Sequence, residues 1–119
     1  LARSIAKSAP AGVDVGIAPP FVYLDAVAGA IANSSIWLGA QDCYFEKSGA
    51  FTGEISVDML KDLGVRFCLN GHSERRHVLN EPGALTAQKA GAIYGFRYWK
   101  FSVALRLRPV RFANPSTAA

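Results

Sequence analysis

Three short apolar runs separated by amphipathic stretches predict an α/β fold in which parallel strands alternate with helices. The runs are Val13-Asp14-Val15-Gly16-Ile17-Ala18, Ile36-Trp37-Leu38-Gly39-Ala40 and Val65-Arg66-Phe67-Cys68-Leu69, each bounded on at least one side by Pro, Gly, Asn or Ser. Runs of this length suit strands buried on both faces of a sheet. The composition agrees: 50% hydrophobic and 18% charged residues, with a mean hydropathy of +0.16, describe a packed core and exclude a disordered chain. No apolar run approaches the roughly 20 residues of a membrane span, so no membrane association is expected.

Taken in order, the chain opens on Leu1, Ile5 and Ala9, whose spacing of four makes an apolar helical stripe that Pro10 and Gly12 terminate. It reads as the end of a helix already under way, with a strand expected before it, and it has no secretory pattern. Val13 to Ala18 is the first strand, stopped by Pro19-Pro20. A helix follows, with Leu24, Val27, Ala28 and Ile31 on one face and Asn33-Ser34-Ser35 as its closing turn. Ile36 to Ala40 is the second strand, and a polar, Gly-rich loop runs from Gln41 to Ile55. Ser56 is placed to cap a helix that turns Val57, Leu60 and Leu63 inward, and Gly64 supplies its left-handed C′ position. Val65 to Leu69 is the third strand. After it Ser73 to Arg76 can open a helix, and a further helix passes through Leu85, Gln88, Lys89, Ala92 and Ile93. This order implies a parallel sheet with right-handed crossovers.

Four blocks along this framework carry a resemblance. Ala18-Pro19-Pro20-Phe21, Gly39-Ala40-Gln41, Gly49-Ala50-Phe51-Thr52-Gly53-Glu54-Ile55-Ser56 and Asn70-Gly71-His72-Ser73-Glu74-Arg75-Arg76 occur in the order and at the intervals of the triosephosphate isomerase family, which the chain resembles from residue 1 to about Gly95. The resemblance implies a partial (β/α)8 TIM barrel holding its second, third and fourth strands with their helices. A whole barrel needs roughly 250 residues, and the chain has 119. It also implies interconversion of dihydroxyacetone phosphate and glyceraldehyde 3-phosphate through an enediolate, in glycolysis and gluconeogenesis. The expected partners are a triose phosphate and a second copy of the chain, with no metal and no organic cofactor.

Charge is divided unevenly. Residues 1 to 81 carry seven Lys/Arg against nine Asp/Glu, whereas residues 82 to 119 carry six Lys/Arg and no acid. The stretch 96–119 is basic and does not resemble the family's fifth strand, which usually ends in Cys-x-Gly-Glu. A departure of reading frame or gene model near Gly95 would account for its lost acids and clustered arginines. Two cysteines, Cys43 and Cys68, are too few for a disulfide framework and lack metal-ligand spacing, so reduced, buried thiols in a cytoplasmic protein are expected.

The chemistry concentrates at the third strand's carboxyl end, where open sheets and barrels place their sites. His72 matches the family's electrophile, a neutral imidazole held beside a helix start and an established illustration of that effect. For a lone His, a simple hydrogen-bonding role at a strand end would be the better reading; the six-residue match from Gly71 to Arg76 reverses that preference. Glu74 resembles a carboxylate that pairs with a first-strand lysine, and it also complements a helix start. Ser73 reads as supporting or capping. Arg75 and Arg76 read as structural, with Glu81 an ion-pair partner for one of them. His72 and His77 make no convincing metal pair. The loop containing Gln41, Thr52 and Glu54 resembles the family's interdigitating dimer loop, in which Thr52 reaches the neighbouring subunit and Glu54 steadies the loop. An ordinary surface loop is its plainer reading, but fifteen residues without secondary structure usually have a functional reason.

The family's catalytic glutamate, phosphate-gripping loops and first-strand Asn/Lys pair fall outside the matching region, so the 119 residues alone are expected to be inactive. Two rivals remain. One is a noncatalytic half-barrel scaffold, disfavoured by the open sheet edges it would expose. The other is a nucleic-acid module in which Tyr98, Trp99 and Phe101 stack bases beside Arg97 and Lys100; it lacks any known signature, and no nucleic acid is expected.

Overall fold

Successive strands pair side by side in one parallel sheet of order β1-β2-β3, as the alternating pattern requires. The computed structural model describes residues 1–95; the basic stretch 96–119, with its aromatic residues and the departure expected near Gly95, lies outside the described residues. Helix α1 (Ala2–Ser8) precedes β1 (Gly16–Ile17), and a 3-10 turn (Phe21–Tyr23) leads into α2 (Leu24–Ile31). Then come β2 (Trp37–Ala40), α3 (Val57–Asp62), β3 (Phe67–Cys68), α4 (Ser73–His77) and α5 (Gly83–Tyr94).

The outer strands are shorter than the apolar runs that form them. Pairing continues past their ends, since the Trp37 N–H donates to Val15 O at 2.9 Å, Arg66 N–H to Leu38 O at 2.8 Å and Leu69 N–H to Ala40 O at 2.8 Å. Among the described strands, only β2 has a neighbour on both sides, and it alone reaches four residues. Two helices follow β3, one at Ser73 and one through Leu85 to Ile93 as expected, and the break between them carries Asn80 at φ 54° and Pro82.

The core lies between the sheet and α2 and α3. Leu24, Ile31, Ile36, Leu38, Ala40, Val57, Leu60, Val65 and both cysteines are buried there, and Ile93 of α5 joins them. Removing a side chain such as Leu24 or Leu60 from water contributes about 1.5–3 kcal/mol. Ile5 and Ala9 of the N-terminal stripe pack against this core from outside, with Ala6 beside them, whereas Leu1, expected on the same stripe, is 97% exposed because it precedes the helix. Helix α3 begins as expected, with Ser56 Oγ accepting the Met59 N–H at 3.2 Å, and it ends on Gly64 at φ 80°. Leu63, expected inward, is exposed instead: the helix stops at Asp62, and only Val57 and Leu60 remain on its buried face.

Phe67 lies across the sheet. A Cβ placed on Gly16 would come within 2.7 Å of its ring, and one on Gly39 nearer still. One aromatic side chain of β3 therefore occupies the space that two missing side chains leave on β1 and β2. This is why Gly39, inside the Gly39-Ala40-Gln41 block, sits mid-strand, where glycine otherwise weakens pairing.

Candidate active site

His72 follows β3 by way of Leu69, Asn70 and Gly71. Gly71 has φ 69°, a left-handed turn that side-chain-bearing residues resist, and a Cβ there would also press on Thr86 at 3.0 Å. The turn brings His72 to the N-cap of α4, and the cap is this imidazole rather than Ser73, which is the first helical residue and exposed. The Glu74 N–H donates to His72 Nδ1 at 3.3 Å. A backbone N–H can donate only to an unprotonated ring nitrogen, so this contact puts the ring proton of neutral His72 on Nε2. The ring then offers one N–H donor from a half-buried position.

Glu74 Oε2 lies 3.7 Å from the same Nδ1. An ion pair there would require a proton on Nδ1 and would break the backbone bond, so the two contacts exclude each other. The carboxylate is 80% exposed and interacts weakly, whereas the backbone bond belongs to the helix start, and we assign the neutral ring on that basis.

Behind His72 sits a buried group of charges. Arg75 Nε donates to Glu81 Oε2 at 2.6 Å, and Arg75 Nη2 lies 2.9 Å from Asp42 Oδ2. Lys89 Nζ donates to both Asp42 oxygens at 2.9 and 3.0 Å and to Glu81 Oε2 at 2.8 Å. Thr86 Oγ1 donates to the other Glu81 oxygen at 3.1 Å. Two acids and two bases thus balance. Burial alone would push the Glu81 carboxyl up, but the bonds from Lys89 and Arg75 outweigh it and hold it below the ordinary carboxylate range. Burial likewise pulls Lys89 down, and its bonds to Glu81 and Asp42 hold it above its usual value. Arg75 follows the same pattern and is held up by Glu81 and Asp42.

Of the residues expected at the site, His72, Glu74, Arg75 and Glu81 come together, and the ion pair expected for one of the two arginines falls to Arg75. Arg76 is half-buried. Gln41 Nε2 donates to Ala18 O at 3.0 Å, tying the start of the long loop to the end of β1. The loop closes at its base, where Tyr44 N–H donates to Ile55 O at 2.8 Å, and the Tyr44 ring packs at a tilt against those of Phe45 and Phe51, with centroids 4.6 and 4.8 Å away. Thr52 and Glu54 stand exposed beyond that closure.

Asp42 and Lys89 were not expected at the site. Lys89 carried a signal, a cation on the same helical face as Leu85 and Ile93. Asn70 is also part of the assembly, donating from Nδ2 to Thr86 O at 2.9 Å while its Oδ1 is buried without a partner among the described residues. Cys43 and Cys68 are free and buried, and the Cys43 thiol, followed by burial, pushes the Cys68 thiol up, away from reactivity. Among the described residues no cluster of three or more His, Cys, Asp or Glu could hold a metal ion, and no helix is long and apolar enough to cross a membrane.

The amino-acid sequence is similar to known proteins of one description. The family model described as triosephosphate isomerase matches residues 1–97. A triosephosphate isomerase of Chlamydia trachomatis serovar L2 is 56% identical over 77 residues, covering 65% of this chain and 28% of the relative. That of Carboxydothermus hydrogenoformans is 51% identical over 83 residues, covering 70% and 33%. That of Lawsonia intracellularis is 45% identical over 95 residues, covering 78% and 38%. The chain spans about a third of the length of these curated relatives.

Proposed function

The chain belongs to the triosephosphate isomerase family, and from that premise we propose that it supplies the electrophilic part of a triose-phosphate isomerase site, with His72 as its catalytic residue. The observation that carries this reading is the bond from Glu74 N–H to His72 Nδ1, which leaves Nε2–H as the ring's donor to offer a substrate oxygen.

Moving a proton between the two carbons of a triose phosphate builds negative charge on the adjacent oxygen. A fixed N–H donor stabilises that charge more in the transition state than in the ground state, which is the condition for accelerating the step. A neutral imidazole can also pass its Nε2 proton to one enediolate oxygen and recover one from the other, keeping the isomerisation internal. The base that removes the carbon-bound proton and the phosphate grip come, on this reading, from parts of the family barrel outside residues 1–97, so the 119 residues alone do not turn over. The loop from Gln41 to Ile55 serves a homodimer, with Thr52 entering the neighbouring subunit and Glu54 steadying the loop. The whole protein works in the cytoplasm, in glycolysis and gluconeogenesis, without metal or cofactor.

The test is a chimera in which residues 1–95 replace the matching part of the complete Carboxydothermus hydrogenoformans relative. Turnover of glyceraldehyde 3-phosphate is expected, and His72→Gln should lower kcat by about 10²- to 10⁴-fold with little change in KM. An unchanged kcat overturns the role of His72. In the same chimera Thr52→Arg should yield monomers with much reduced activity; dimers of unchanged activity contradict the loop assignment.

A further inference from the structure

We propose that Asp42 and Lys89 are positioning residues for His72, acting through Arg75. Helix α4 has five residues and not one of them is buried, so neither apolar packing nor intrinsic propensity holds it in place. What fixes it is polar: the Arg75 side chain, clamped by Glu81 at 2.6 Å and Asp42 at 2.9 Å, and the Glu81 N–H, which donates to Arg75 O at 2.8 Å. Those carboxylates are themselves immobilised by Lys89, whose side chain is 2% exposed and which bonds to both.

The chain of contacts has a direction. Lys89 rises from α5, whose Ile93 is anchored in the core, and Asp42 leaves the end of β2 beside buried Ala40 and Cys43. Both ends of the clamp therefore rest on the rigid part of the molecule, and the clamped arginine lies on the five-residue helix that His72 caps. Loss of either contact lets α4 rotate or fray, and the first bond to suffer is the one from Glu74 N–H to His72 Nδ1 that sets the ring's tautomer. Asp42 is also the second residue of the loop that runs from Gln41 to Ile55, so the clamp joins that loop to the helix His72 caps.

This inference rests on the reading of His72 as an electrophile for its importance, but its geometry is measured without turnover, so the two fail separately. In the full 119-residue chain, Asp42→Asn should raise hydrogen exchange at the Glu74 amide about tenfold while the Leu38 and Ile31 amides keep their protection. Nitrogen NMR of the His72 ring should pass from a single Nε2-protonated form to a mixture of tautomers. The charge-balanced pair Asp42→Asn with Lys89→Gln should give the same ring change with the sheet amides still protected. An unchanged Glu74 amide and ring in these variants overturn the proposal. So does a parallel loss of protection at Glu74, Leu38 and Ile31, or complete loss of structure, because either makes the cluster a determinant of the fold rather than of His72.

Discussion

The segment up to Leu69 and the segment beyond it are held by opposite means. Among the described residues, ten of the eleven buried hydrophobic ones belong to the first, whereas Asn70, Glu81 and Lys89, three of the five buried polar or charged ones, belong to the second. Apolar burial is nearly non-directional: it sets which faces meet and tolerates small rotations. An ion cluster is directional and intolerant of a missing partner. The half that bears the imidazole thus uses the interaction that fixes angles, and the half that bears the sheet uses the one that fixes neighbours.

The most severe way to break this contrast is Lys89→Met. It leaves two buried carboxylates facing one arginine and should cost about 3–5 kcal/mol, read as a lower midpoint in urea. A cost below about 1 kcal/mol would mean that the cluster is hydrated and that the second segment has no distinct basis.

The pH dependence sharpens the same point from both ends. Glu81 is held below its ordinary value, so its stabilisation is present above about pH 4.3 and is lost as pH falls through its lower folded value. Lys89 is held above its ordinary value, so its stabilisation is complete below about pH 10.4 and is lost as pH rises through its higher folded value. Hydrogen exchange at the amides of α4 should therefore accelerate at both extremes before that of β2. Simultaneous acceleration of both would erase the distinction.

In the apolar half the matching break is Gly39→Ala, which forces a methyl group into the Phe67 ring and should cost about 1–3 kcal/mol. Phe67→Leu should recover part of that loss in the double variant. The smallest effect is expected from Ser56→Ala, about 1 kcal/mol for the cap of α3, measured by the same denaturation.

Much of this arrangement was legible because it is encoded locally. Short apolar runs and period-four stripes located the strands and helices, Ser56 and Gly64 marked the two ends of α3, and the polar run Ser73 to Arg76 after the third strand announced a helix start. Inward placement of Leu63 failed because burial depends on where a helix stops, and α3 stops at Asp62. The clamp was not legible for a different reason. Lys89 and Asp42 are 47 residues apart, and no periodicity links them. A buried lysine at an apolar helical position gives notice that an acid is near, but the sequence does not say which one. His72 could be assigned its cap only once the Glu74 N–H was seen to point at Nδ1.

The ring of Phe67 over Gly16 and Gly39 governs the order in which this sheet can change over generations. Either glycine gains a side chain at less cost after position 67 has become smaller, whereas position 67 can shrink first at the cost of an open space. Substitutions at these three places are therefore not interchangeable steps. A lineage that takes them in the reverse order passes through an intermediate weakened by the clash with the Phe67 ring, and the present trio thereby favours one order of change over the other.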